Sequence, residues 1–229
     1  MFEFRFYEIW REAEYVERLF YGVFLSFSLT VAAALVGFGL ALLLASLRRS
    51  AWRRFSWPAG VYVELIRNTP LIVQLFFVAF GLPMLFGFRW SFELAALVAL
   101  SINFSAYYAE IVRAGLDNIP GSQTEAARAL SLSPGVTHFL VILPQSLAAV
   151  YPALVSQFVF LFMTTGIISE IGIEELTWSG RFIADRTFRD FEVYLVLTAL
   201  YVLMAVMFRL FFALISRRFF PWQHRRGAE

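Results

Sequence analysis

Long stretches without a charged residue dominate this chain and restrict what it can fold into. Neither residues 19–47 nor residues 129–169 contain an Asp, Glu, Arg or Lys. A helix needs roughly 20 apolar residues to cross about 30 Å of hydrocarbon, so both runs are long enough to span a membrane. Because 60% of the residues are hydrophobic and 16% are charged, the sequence predicts an all-α integral membrane protein.

Five transmembrane helices are predicted from the uncharged centres and from the residues that interrupt them. The spans cover about residues 19–47, 57–82, 92–116, 148–169 and 191–216. The run before residue 169 also holds Pro134, Pro144 and Pro152. Since proline disrupts a helix interior, the fourth span is confined to the later part of that run.

The arginines indicate how the spans are oriented. They follow the first, third and fifth spans, as Arg48, Arg49, Arg53, Arg54, Arg113, Arg128, Arg217, Arg218, Arg225 and Arg226. Cytoplasmic segments carry an excess of basic residues. The N-terminus is therefore predicted to be periplasmic and the C-terminus cytoplasmic.

This topology divides the chain into three regions: residues 1–18 as a periplasmic or interfacial segment, 19–217 as the transmembrane domain, and 218–229 as a cytoplasmic tail. The first region contains five glutamates, beginning with Glu3, against three arginines. It therefore lacks the basic n-region of a cleavable signal peptide. An interfacial helix is predicted there instead, carrying Phe4, Tyr7, Ile9 and Trp10.

Missing residue types exclude several chemistries. All 19 basic residues are arginine, and cysteine is absent. Without lysine the chain cannot form a G-x-x-x-x-G-K-[ST] phosphate loop or a Schiff base, and without cysteine it has no thiolate metal site. His138 and His224 are far apart in sequence and lack partners at metal-ligand spacing. We expect no catalytic residue, no metal site and no cofactor in this chain.

A short polar helix is predicted in the loop of about residues 117–135, between the third and fourth spans. In the run QTEAARALSLSP, which begins at Gln123, Glu125 stands three residues after Ser122, as in a capping box. Ser133-Pro134-Gly135 ends the helix after about nine residues, or 14 Å. So short a helix is stable only when packed. Its residues fit either a docking surface for another protein or a loop helix on the membrane.

Motifs in this loop and in the spans resemble those of a known family. The segment GLDNIPGSQTEAARALSLSPGVTHFLVILPQ resembles the cytoplasmic EAA signature in membrane subunits of bacterial ATP-binding-cassette importers. Further segments resemble the polar amino acid branch of that family: SLTVAAALVGFGLALLLASLRRS, YVELIRNTPLIVQLFFVAFGLP, AYYAEIVRAGL and IGIEEL. The resemblance extends from about Gly22 to Arg217.

The resemblance implies a transport subunit of the bacterial inner membrane, which moves polar amino acids or related small solutes into the cytoplasm and is not itself an enzyme. It also implies that the short helix docks in a cleft of a separate ATPase. The docking residues would be Ser122, Glu125, Ala126, Ala127, Arg128, Leu130 and Ser131. The implied partners are two ATPase subunits, which bind ATP and Mg²⁺, a periplasmic binding protein, a second membrane subunit and the lipid bilayer, but no nucleic acid.

Two positions depart from the family pattern. Glycine is usual where Ser131 stands, and serine would have to accept a left-handed conformation at a cost of about 1 kcal/mol or form another turn. In the fourth span the family usually has a lysine, an acid or asparagine, a threonine or serine, and a serine, whereas this chain has Met163-Thr164-Thr165-Gly166. Because the charged pair is missing, we expect the second membrane subunit to be a paralogue with a more polar segment; a homodimer is the alternative. Gly166 is expected to open the helix.

Polar residues within the spans are candidates for the substrate pathway. The candidates are Gln74, Asn103, Thr164, Thr165 and Glu170. Hydrogen bonds between helices would explain the deeper ones equally well. The pairs Glu64–Arg67 and Glu110–Arg113 have i, i+3 spacing near the cytoplasmic ends and are interpreted as structural ion pairs.

Three other functions stay open at the level of sequence. The same importer architecture could carry an opine or a small amine. An ion-gradient-driven secondary transporter is disfavoured, because we find no internal repeat and the loop contains a docking helix. A membrane scaffold that transports nothing would predict that the polar residues within the spans are dispensable.

Overall fold

A computed structural model describes residues 4–50 and 52–221, and every regular element within these ranges is helical. The α-helices are α1 (Tyr7–Trp10), α2 (Ala13–Arg48), α3 (Arg53–Arg67), α4 (Leu71–Phe76), α5 (Leu82–Phe86), α6 (Phe92–Asp117), α7 (Gly121–Ala129), α8 (Pro134–Val136), α9 (Leu143–Thr164), α10 (Leu176–Thr187) and α11 (Asp190–Phe219). Segments Phe77–Gly81 and Thr137–Ile142 are π-helical, and Thr165–Ile171 is a 3-10 helix. The predictions on Glu3, His224, Arg225, Arg226 and the rest of residues 222–229 lie outside the described residues.

Several of these helices are long and apolar enough to cross a membrane. Four qualify individually: α2, α6, the run Pro134–Ile171 and α11. A bent pair, α3 with Leu71–Phe86, qualifies when it is taken as one span. The all-helical class is confirmed for the described residues, with four or five candidate spans.

The second predicted span, residues 57–82, is not one continuous helix. α3 ends at Arg67, α4 begins at Leu71, and the two helical stretches are bent by 108°. Pro70 lacks an amide hydrogen and disfavours helical conformation in the residue before it. The chain therefore breaks at Asn68-Thr69-Pro70.

The fourth predicted span, 148–169, differs from the structure at both ends. α9 begins earlier, at Leu143, and continues through Pro152. α9 continues directly from the π-helical segment Thr137–Ile142, and prolines such as Pro144 and Pro152 are tolerated in membrane helices because local π adjustments and neighbouring helices satisfy the freed backbone groups. At the other end the chain tightens into the 3-10 segment Thr165–Ile171. The helix therefore does not open at Gly166 as expected, because the chain stays helical there with tighter turns.

The described residues form two compact units with separate cores. The first unit comprises Met1–Leu35, Thr69–Ile102 and Phe158–Arg209. Its core includes Leu176 and Ile183 of α10, both fully buried. Aromatic rings of α9 and α11 pack edge to face in the same unit: the centroids of Phe162 and Phe208 lie 5.2 Å apart.

The second unit comprises Val36–Asn68, Asn103–Gln157 and Leu210–Glu229. A cluster of buried apolar side chains forms its core: Ala45, Val112, Leu116 and Ile142. The predicted coupling loop belongs to this unit.

Candidate functional site

The short polar helix of the loop is present as α7, which has nine residues. Its N-cap is Pro120, whose ψ of 140° is not helical, and no side chain caps the helix. The predicted capping box is therefore wrong, because Ser122 lies inside the first turn instead of at the N-cap. Proline fixes φ near the helical value and starts the helix one residue early. The predicted limits, Ser122 to Ser131, shift by one or two residues toward the N-terminus.

The C-terminus of α7 is closed by a Schellman motif. The Ser131 amide donates to the Arg128 carbonyl at 2.8 Å, and the Leu132 amide donates to the Ala127 carbonyl at 3.0 Å. These two hydrogen bonds define the Schellman motif. The motif requires a residue with a left-handed backbone conformation just after the end of the helix. Ser131 is that residue, with φ of +57°. Serine thus accepts the conformation that glycine would adopt without strain.

One face of α7 is packed and the other is open. The helix lies against the π-helical segment Thr137–Ile142, with Ala127 only 3% exposed. Gln145 Nε2 donates to Gln123 Oε1 at 3.4 Å and holds the first turn. On the open face Leu130 is 73% exposed. The other candidate docking residues, Ser122, Glu125, Ala126, Arg128 and Ser131, are also exposed.

A groove of about 510 Å³ runs beside α7. Its lining includes Arg49, Thr124, Arg128 and His138. Within the described part of the chain, Arg128 forms no ion pair. The groove therefore offers an arginine to an acidic group that approaches from outside.

Glu110 of α6 is the centre of an ion-pair network in the second unit. Its carboxylate accepts hydrogen bonds from Arg48 and from Arg113, and Arg113 also bonds Asp117. The predicted Glu110–Arg113 pair is confirmed. The network joins α2 to α6.

The predicted Glu64–Arg67 pair is not formed. Arg67 Nη1 instead lies 3.9 Å from Glu110 Oε2, and Glu64 Oε1 lies 3.9 Å from Arg48 Nη2. Spacing along one helix allows a pair to form, but the charges of α2 and α6 compete for both partners. Sequence spacing alone could not reveal that competition.

Three of the pathway candidates direct their hydrogen-bond donors toward the backbone. Gln74 Nε2 donates to the Thr69 carbonyl at 3.1 Å and to Thr69 Oγ1 at 2.6 Å. Thr164 donates to the Leu161 carbonyl at 2.8 Å, and Thr165 donates to the Phe162 carbonyl at 2.7 Å. Their oxygens keep accepting capacity, whereas these donors are used within the protein.

The remaining candidates lie in different surroundings. Glu170 is half-exposed and accepts a hydrogen bond from Arg181 at 2.7 Å. Asn103 is buried in the second unit, whereas Gln74, Thr164, Thr165 and Glu170 belong to the first. α4, which carries Gln74, contacts the 3-10 segment that contains Thr165 and Glu170.

Glu175 is a buried polar centre that the sequence did not single out. It is fully buried in the connection before α10 and accepts hydrogen bonds from Ser26 Oγ at 3.2 Å, Tyr201 OH at 3.1 Å and the Trp178 amide at 2.9 Å. Burial raises the pKa of the Glu175 carboxyl, and these hydrogen bonds oppose part of the rise. The only signal in the sequence is the pair of acids in IGIEEL, which does not show which one is buried.

The fold defines a multi-pass helical membrane protein. Residues 23–221 match the family of binding-protein-dependent transport system inner membrane components, and the chain belongs to that family. The family expected from the EAA segment is thereby confirmed, and the chain is a permease subunit.

Three relatives of this chain are named as amino acid or opine transport permeases. The chain is 37% identical over 155 residues to the arginine transport system permease protein ArtQ of Bacillus subtilis, covering 68% of this chain and 71% of the relative. It is 33% identical over 208 residues to the octopine transport system permease protein OccM of Rhizobium meliloti, covering 87% and 85%. A probable amino-acid ABC transporter permease protein of Sinorhizobium fredii, y4tG, is 36% identical and covers 78% of both chains.

Solved structures agree with this assignment. The crystal structure of an amino acid ABC transporter with histidines matches with a TM-score of 0.83 and 33% identity, over 95% of this chain and 100% of that chain. The methionine ABC transporter MetNI, in an inward-facing conformation, matches with a TM-score of 0.78 at 20% identity, over 91% and 99%. The second match shows the shared fold.

Proposed function

We propose that this chain is the membrane subunit of an ATP-driven importer that carries polar amino acids or related solutes from a periplasmic binding protein into the cytoplasm. The observation that carries this proposal is the cargo named for the relatives: arginine for one and octopine for another. Both compounds present carboxylate and nitrogen groups to a transporter. Uptake of labelled arginine, glutamine and octopine into cells that express the complete importer tests the cargo, and accumulation of none of them would contradict it.

We further propose that α7 couples this chain to a separate ATPase subunit, which holds ATP and Mg²⁺. The exposed face of α7 supports this role, because small Ala126 lets another chain approach closely while Glu125 and Arg128 offer charges. Leu130, with 73% of its surface exposed, would gain most from being covered.

Charge reversal at Glu125 tests the coupling role. Glu125→Arg should abolish stimulation of ATP hydrolysis and co-purification of the ATPase, while the amount of chain in the membrane stays unchanged. Glu93→Arg, at an exposed acid in the first turn of α6, is the matched control and should behave as wild type. Wild-type ATP hydrolysis and transport in Glu125→Arg would make α7 a loop helix on the membrane surface.

We propose that a second, paralogous membrane subunit completes the pathway. Thr164 and Thr165 use their hydroxyl hydrogens on backbone carbonyls, and Glu170 is paired with Arg181. These groups can accept hydrogen bonds from an ammonium but provide no free donor for a carboxylate. An amino acid taken out of water needs partners for both of its charges.

Expression of this chain alone with the ATPase and the binding protein tests the pairing. Substrate-dependent ATP hydrolysis in lipid should be weak without the paralogue and should recover when the paralogue is added. Full stimulation by the chain alone would establish a homodimer and would contradict the paralogous pair.

A further inference from the structure

The turn between α2 and α3 carries positive charge that its neighbours do not neutralise. Arg48 binds Glu110, and Arg49 Nε lies 3.5 Å from Asp117 Oδ1. Arg53 and Arg54 follow in the first turn of α3 and form no ion pair within the described residues. The first turn lies at the positive end of the helix dipole, where cations are unfavourable. An external anion would relieve this arrangement.

An open groove of about 800 Å³ lies along α3, and Arg48 and Arg53 line its basic end, next to Arg54. Its lining includes Arg53, Trp57, Val61 and Leu65, which are spaced by four residues and so share one stripe of the helix. The three apolar side chains are 63%, 43% and 58% exposed, respectively. The groove is therefore basic at one end and apolar along its floor.

Counter-charge within the groove is limited. Glu64 is the one carboxylate among the described lining residues. Its Oε1 lies 3.9 Å from Arg48 Nη2, so it offsets an arginine that already binds Glu110. The guanidinium of Arg53 is left for a ligand.

Arg54, the other arginine of this turn that forms no ion pair within the described residues, packs against aromatic side chains. The Arg54 guanidinium carbon lies 4.2 Å from the ring centroid of Trp52 and 4.8 Å from that of Phe55. Both rings are exposed. Tryptophan is enriched at the headgroup level of a bilayer, so this stacking favours a guanidinium placed among lipid phosphates.

We propose that this groove, the α3 groove, binds an anionic phospholipid of the phosphatidylglycerol class. The guanidinium groups of Arg53 and Arg54 would bind the phosphate, since arginine matches phosphate oxygens with paired donors. Trp57, Val61 and Leu65 would contact the apolar part of the lipid. A soluble anion such as free phosphate would contact only the arginines and would make no use of the apolar stripe. The proposal requires that the chain lies in a membrane and is independent of its cargo and of the coupling role of α7.

Lipid titration followed by native mass spectrometry tests the proposal on the full chain in detergent micelles. Each arginine near a membrane surface strengthens attraction to anionic lipid about fivefold, so R53Q/R54Q should weaken phosphatidylglycerol binding by at least about tenfold. R53K/R54K keeps the charge but loses the paired guanidinium donors and the stacking of Arg54, so its affinity should lie between those of R53Q/R54Q and wild type. Phosphatidylcholine with the same acyl chains should bind weakly to all variants.

The matched control is R217Q/R218Q, which removes two exposed consecutive arginines from the last turn of α11. Equal loss in this control would mean that net charge alone attracts the lipid, and would overturn the α3 groove as a site. Unchanged phosphatidylglycerol binding in R53Q/R54Q, or weaker binding in R53K/R54K than in R53Q/R54Q, would also overturn it. If R53Q/R54Q keeps lipid binding but loses ATPase co-purification, the turn is a protein contact instead.

Discussion

Glu174 and Glu175 are identical neighbours in sequence, yet their surroundings differ completely. Glu174 is half-exposed, and its Oε2 lies 3.3 Å from Arg18 Nη1. Glu175 is fully buried and surrounded by hydrogen-bond donors from three helices or their ends. Burial disfavours the charged form of a carboxyl and raises the pKa of Glu175.

Stability should depend on pH through Glu175. Because burial raises its pKa, the folded state holds the proton more tightly than the unfolded chain, whose glutamates titrate near about 4.3. This contribution to stability is fully present below that pH and declines as pH rises through the raised pKa. Glu175→Gln removes this titration. In micelles, the unfolding temperature of the variant relative to wild type should therefore rise from pH 4 to pH 8. Parallel pH profiles for wild type and Glu175→Gln would contradict the prediction.

Gly22 shows how a single missing side chain permits close packing. A Cβ at Gly22 would lie 2.6 Å from Ser179 Oγ and 2.9 Å from the Leu176 Cα and amide nitrogen. A backbone atom cannot move aside as the end of a side chain can. α2 and the start of α10 therefore approach at a distance that only glycine allows.

Gly22→Ala should destabilise the protein by about 1–3 kcal/mol, because it overpacks this contact. Gly39 belongs to the same helix, and a Cβ there meets nothing within 4 Å. Gly39→Ala is therefore the control, and its unfolding temperature should equal that of wild type or lie slightly above it. Equal unfolding temperatures for the two variants would show that the contact at Gly22 relaxes freely.

At the scale of elements, α7 is defined by how it begins and ends. Pro120 sets its start and the Schellman motif sets its end. Both features depend only on residues close in sequence. The capping box predicted from Ser122 and Glu125 would begin the helix at a different residue and is not formed. The sequence contained both possibilities, and the backbone conformation at Pro120 selected one.

Ser131→Gly should tighten the end of α7, because glycine removes a left-handed cost of about 1 kcal/mol. Hydrogen exchange at the amides of residues 131 and 132 should slow by about fivefold, which corresponds to that free energy. Ser131→Ala keeps a Cβ and should show no such slowing. Faster or unchanged exchange in Ser131→Gly would mean that the motif opens by another route.

At the scale of the whole molecule, orientation follows from charge. The arginines after the first, third and fifth spans and the glutamates of residues 1–18 favour a periplasmic N-terminus and a cytoplasmic C-terminus. The broken second span matters here, because the ends lie on opposite sides only if the bent pair of α3 with Leu71–Phe86 crosses the membrane once.

Reporter fusions test this orientation. An enzyme active only in the cytoplasm should be active when fused after Glu229 and inactive when fused before Met1. A reporter active only in the periplasm should give the opposite result. Activity of one reporter at both ends would mean an even number of crossings, and reversed activities would place α7 outside the cytoplasm.

The sequence by itself determined the features that depend on local composition. Uncharged runs longer than a bilayer crossing can form only helices in lipid, because every backbone polar group must be satisfied within the segment. α2, α6 and α11 were therefore predictable, as was the short helix in the loop. The EAA motif identified the family for the same reason, since it is a contiguous segment.

The tertiary structure decided the ion-pair partners and the burial of polar groups, because these depend on which helices pack together. Glu64 and Arg67 have the right spacing for a pair, but they face charges of α2 and α6 instead. Burial of Glu175 depends on donors from Ser26 and Tyr201, which are far away along the chain. Electrostatic partners and close contacts depend on distances through space, and a linear pattern gives those distances only within one helix.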